Sequence, residues 1–90
     1  MTELEKARQT IDEIDRDMAH LFEKRLDAVC VIAEYKKEHG IPVEDAARED
    51  VVLRNNAAHI VNEDYRALYA DFLRAVMDLS KDYQHRLHED

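Results

Sequence analysis

Residues 3–39 read ELEKARQTIDEIDRDMAHLFEKRLDAVCVIAEYKKEH, with neither glycine nor proline anywhere in the run. Apolar side chains recur at Leu4, Ala7, Ile11, Ile14, Met18, Leu21, Val29 and Ile32. Steps of three or four residues place them on one face of an amphipathic helix. Continued in phase, the stripe falls on Arg25, between Leu21 and Val29, and on Lys36, after Ile32. These two cations differ by roughly 20° around the axis and lie about 16 Å apart along it. Bare cations in a buried stripe require something negative to meet them.

The ends of this helix are equally legible. Thr2 and Glu5 have capping-box spacing, while Gly40 suits a left-handed terminating residue and Pro42 prevents continuation. A continuous helix of about 37 residues would be roughly 55 Å long. A compact domain of this size has a radius of gyration near ~12 Å and is only about 30 Å across. One chain cannot cover so long an apolar stripe, so an intertwined homodimer is expected, with a second chain covering the remainder.

Gly40-Ile41-Pro42-Val43-Glu44 is the one clear linker. Asp45 can cap a second helix from Ala46 to about Ile60, with Val52, Leu53, Asn56 and Ile60 inward. Asn62-Glu63-Asp64 suits the start of a third helix, from Glu63 to about Arg86. Its apolar band includes Leu68, Tyr69, Phe72, Leu73, Val76 and Leu79, with Ser80 and Gln84 at the edge. The expected fold is all-α, three helices in long-short-long order, in one domain spanning residues 1–90.

The 90 residues contain 46% hydrophobic and 38% charged side chains, enough for one modest core. A net charge of −8 argues against a nucleic-acid or anionic-membrane partner, both of which need a basic surface. Cys30 is the single cysteine, so an intrachain disulfide or multi-thiolate metal site is excluded. His20, His39, His59, His85 and His88 are scattered without zinc spacing, and no Gly-rich phosphate loop occurs. Neither a metal nor a cofactor is expected. The N-terminus lacks the basic segment and apolar core of a signal peptide, and no run has the length of a membrane span. Cytoplasmic residence is the expectation.

Against this acidic background, Arg25, Lys36, Arg48, Glu49 and Gln84 occupy inward or semi-inward positions, beside Asp45 and Ser80. They could form a satisfied network or buried pairs such as Arg25 with Glu49. Desolvation makes buried pairs poor stabilisers, however, and several on one small chain invite a functional reading. Arg8 lies about 25 Å from Arg25 along the same helix and roughly 100° around it. Both cannot grip one small ligand within one chain, but in an antiparallel dimer Arg8 could reach the partner's site.

The ordered pattern R8-x2-I11-x2-I14-D15, R25-x10-K36, G40-x-P42-V43-x-D45-x2-R48-E49-x2-V52-L53 and S80-x3-Q84 resembles the all-helical (AroQ-class) chorismate mutases over essentially the whole chain. The resemblance implies conversion of chorismate to prephenate in phenylalanine and tyrosine synthesis, by an entwined homodimer with two equivalent sites. It implies that Arg25 and the partner chain's Arg8 grip the two substrate carboxylates, with Arg48 lining the same wall and Ser80 supporting one carboxylate. Lys36 and Gln84 would bond the ether oxygen, and Glu49 with the backbone near Asp45 would hold the ring hydroxyl. An isochorismate–pyruvate lyase on the same fold, or a non-catalytic helical regulatory dimer, are the alternatives. The retained Glu49 leans towards the mutase.

Overall fold

Helix α1 runs unbroken over Glu3–His39, 37 residues in all. Helix α2 covers Ala46–Ala57 and α3 covers Arg66–Glu89, with a 3₁₀ turn at Glu63–Tyr65 between them. The computed structural model describes residues 1–89, among which no strand occurs. The chain is all-α in long-short-long order.

Local chemistry sets the boundaries. The Thr2 hydroxyl accepts the Glu5 backbone N–H at 3.1 Å and donates to Glu5 Oε1 at 3.2 Å, closing the first turn of α1. At the other end Gly40 has φ 64°. That left-handed conformation is cheap only without a Cβ. It lets the Gly40 and Ile41 N–H groups both reach the Lys36 carbonyl, the latter at 2.8 Å. Asp45 caps α2 by accepting the Arg48 N–H at 3.0 Å.

Helix α2 stops at Ala57, short of the predicted Ile60. The Asn56 amide turns back onto the Val52 carbonyl at 2.8 Å. His59 and Ile60 then bond to Asn56 and Ala57, a tighter pattern that ends the α-helix. Helix α3 begins later than the predicted Glu63, because Asn62 Oδ1 accepts the Asp64 N–H and caps a 3₁₀ turn first. It also continues past Arg86 to Glu89.

The core is small. Val29 and Ala33 of α1, Val43 of the connection, and Leu73 and Met77 of α3 are its buried apolar residues. Helix α2 buries no residue fully, and Val52 and Leu53 are only half covered. The N-terminal half of the α1 stripe is uncovered among the described residues: Ile11, Ile14, Met18 and Leu21 are exposed, Leu21 by 62%. Phe72 and Leu79 of α3 are exposed as well. Met18, Leu21, Phe72 and Leu79, with Tyr69 and Val76, border an open apolar groove of about 710 Å³. The chain measures 55 × 26 × 15 Å with a radius of gyration of 16.4 Å, well above the ~12 Å of a compact domain this size.

Candidate active site

The C-terminal half of α1, the linker, α2 and α3 enclose a cavity of about 300 Å³. That is the lower end of the small-molecule range. Arg25 and Lys36 come from α1, where helical phase brings both onto the face that packs against α3. Asp45, Arg48 and Glu49 come from the start of α2, and Ser80 and Gln84 from α3. Seven of the eight residues singled out in the sequence therefore line one cavity. The eighth, Arg8, lies far along α1 on the exposed half and takes no part in it.

Arg25, Ser80 and Lys36 are each anchored by a side-chain hydrogen bond. Arg25 Nη1 donates to Ser80 Oγ at 2.6 Å, while the Ser80 hydroxyl donates to the Val76 carbonyl at 2.9 Å. Ser80 is buried and its proton is committed, so its lone pair is available to steer the guanidinium. Lys36 Nζ donates to the Val43 carbonyl at 3.1 Å, tying α1 to the linker. One bond leaves two further ammonium donors for a ligand. Gln84 is buried, and its Oε1 has no hydrogen-bond partner among the described residues. An orphaned amide oxygen is costly in a core. Beside a polar cavity it is poised for a partner from outside, and a half-turn of the amide exchanges acceptor for donor.

The pair imagined between Arg25 and Glu49 does not form. Glu49 instead meets Lys81, whose Nζ lies 2.8 Å from Glu49 Oε1 and 3.5 Å from Glu44 Oε2. Glu49, followed by Glu44, holds the Lys81 ammonium above its ordinary pKa of 10.5, against the opposing effect of burial. The Glu44 carboxyl lies below its usual 4.5, first through a hydrogen bond from His85 Nε2 at 3.2 Å and then through the Lys81 charge.

Lys81 lines the cavity and is the residue that sequence reasoning passed over. Its signal was weak: it lies between Ser80 and Gln84 but interrupts no apolar pattern, and the sequence suggests Glu49 only as a possible partner of Arg25. Val52 and Met77 complete the apolar wall. Among the described residues Arg25, Lys36 and Arg48 form no ion pair; they share the cavity with Asp45, whose carboxylate caps α2, and with Glu49, already paired with Lys81. Such a site receives an anion with more than one negative group, orients it through several donors, and offers a carboxylate acceptor for a hydroxyl.

Residues 7–85 match the family described as chorismate mutase type II. The chain is 31% identical over 77 residues to the T-protein of Haemophilus influenzae, an alignment covering 86% of this chain and 20% of that protein. It therefore spans about a fifth of the length of the curated relative it matches. No solved structure matches significantly. With the family match extending across all three helices and every residue lining the cavity, the chain belongs to the type II chorismate mutases.

Proposed function

We propose that this chain catalyses the Claisen rearrangement of chorismate to prephenate, as a single domain in a cytoplasmic homodimer. The observation that carries the proposal is the convergence of Arg25, Lys36, Arg48, Ser80, Gln84 and Glu49, from three helices, on one cavity. A pericyclic rearrangement has no covalent step for the protein to perform. What it requires is a flexible enolpyruvyl side chain folded over the ring, which is a problem of orientation. Arg25, held by Ser80, clamps one carboxylate, and Arg48 extends the cationic wall. Lys36 and the Gln84 amide donate to the ether oxygen, where negative charge grows as the C–O bond breaks. Glu49, with the backbone at Asp45, accepts the ring hydroxyl.

The second carboxylate is assigned to Arg8 of a second copy. Arg25 borders both the cavity and the exposed apolar groove. A helix seated in that groove would pass directly beside the site, and the uncovered half of α1 is an apolar surface of the right kind. Arg8 sits on that same half.

The test is chorismate depletion, followed for Arg8→Ala and Arg25→Ala proteins alone and after mixing under subunit-exchanging conditions. Each homodimer should be nearly inactive, and the mixed dimer should regain one working site of its two. Full activity in either single variant, or no recovery on mixing, would remove the shared site. A wild-type protein that yields salicylate and pyruvate from isochorismate, and no prephenate from chorismate, would overturn the mutase assignment.

A further inference from the structure

We propose that Lys81 is a positioning residue for the reaction: it fixes the Glu49 carboxylate, and with it the start of α2, in the place where the substrate's ring hydroxyl is received. The inference rests on the chorismate mutase reading of the same cavity. Its basis is geometric. The Lys81 ammonium is shared by three carboxylates: Glu49 of α2 at 2.8 Å, Glu44 of the linker at 3.5 Å and Asp78 of α3 at 3.6 Å. The tightest of the three is the one that lines the cavity. That contact engages Glu49 through Oε1 and leaves Oε2 as an acceptor.

This pair differs from the ion pairs on the chain's outer faces. The Lys81 and Glu49 side chains are 24% and 28% exposed, against 58% and 75% for Arg74 and Asp71. Exposed pairs contribute little, whereas a shielded, short, charge-assisted bond fixes a rotamer. Helix α2 also needs such an anchor. It buries no residue fully, so apolar packing alone does not fix its distance from α3. Lys81 joins the two through Glu49, while Glu44 extends the tie to the linker and to His85.

The pair also settles an electrostatic conflict. A carboxylate is needed to accept a hydroxyl, yet its charge would repel a dianionic substrate. Lys81 cancels that charge from the side of α3 and leaves the cations of α1 to act on the substrate.

The experiment compares Lys81→Met, Lys81→Arg, Glu49→Gln and the Lys81→Met/Glu49→Gln double variant for kcat/KM on chorismate. Loss of a hydrogen bond to a charged group should lower kcat/KM of Lys81→Met about tenfold. Arginine retains the charge and the donors, so Lys81→Arg should stay within about threefold of wild type. In the Glu49→Gln background, Lys81→Met should change kcat/KM by less than about twofold, since the two act as a unit. Losses that simply multiply, or a Lys81→Met enzyme equal to wild type, would overturn the proposal. If the wild type does not turn over chorismate, the functional reading fails on its own account. The tie is then judged by hydrogen exchange across Ala46–Ala57. Amides there exchanging at least about threefold faster in Lys81→Met support it, and unchanged rates overturn it.

Discussion

At the scale of single residues, Gln84 concentrates the trade between stability and function. Its buried Oε1 has no partner among the described residues, which costs a folded chain about 1–3 kcal/mol relative to a satisfied group. Gln84→Met should therefore raise the melting temperature, by roughly 1 kcal/mol of added stability, while kcat/KM on chorismate falls about a hundredfold through loss of a donor at the ether oxygen. Thermal melts by circular dichroism and a depletion assay check both halves, and a destabilised variant would contradict the first. The two cations in the α1 stripe were legible because periodicity marks a violated apolar slot. Lys81 was not, since it breaks no pattern on its own helix and gains its meaning from Glu44 and Glu49, more than thirty positions earlier in the chain. Pair partners across elements depend on packing, which is why the sequence could offer Arg25 with Glu49 only as one possible pair and held no sign of the hydrogen bond from Arg25 to Ser80.

Among the elements, α2 depends most on polar contacts. Glu44, beside its N-terminus, has its carboxyl below the ordinary 4.5, so its contribution is fully present above that value and is lost as pH falls through the lowered one. Lys81 lies above its ordinary 10.5, so its contribution is complete below that pH and disappears only as pH rises through the raised value. Between those limits the tie is intact. Hydrogen-exchange protection over α2, taken relative to the intrinsic amide rate at each pH, should fall as pH is lowered below 4.5, and Glu44→Gln should flatten that dependence. Equal slopes in the two proteins would exclude Glu44 as the cause. The limits of α1 were legible to the residue, because Thr2 and Gly40 have strong local preferences. The end of α2 was not, because Asn56 carries both a helical phase and a side chain that competes for the Val52 carbonyl. The start of α3 was misplaced for a related reason, Asn62 capping a 3₁₀ turn before the α-helix begins.

For the whole molecule, the decisive fact is how little of its apolar surface one chain covers. With Leu21, Phe72 and Leu79 exposed around an open groove, the folded form should be inseparable from its oligomer. The melting temperature should rise with protein concentration, and sedimentation should give twice the chain mass. Leu21→Glu should produce a monomer with reduced helicity, whereas a concentration-independent melt at the mass of one chain would exclude the dimer. Helix α1 carries a further consequence. Having no break between Arg8 and Arg25, it keeps those residues in fixed register, like teeth on a rigid rack. Deleting one residue between them would swing Arg8 by about 100° and draw it in by about 1.5 Å. Deleting seven would leave it only about 20° out of phase, yet displaced by roughly 10 Å. On the shared-site proposal no small change of length there preserves both angle and reach, so this segment should tolerate substitutions, and insertions should be tolerated only in the linker or after α2.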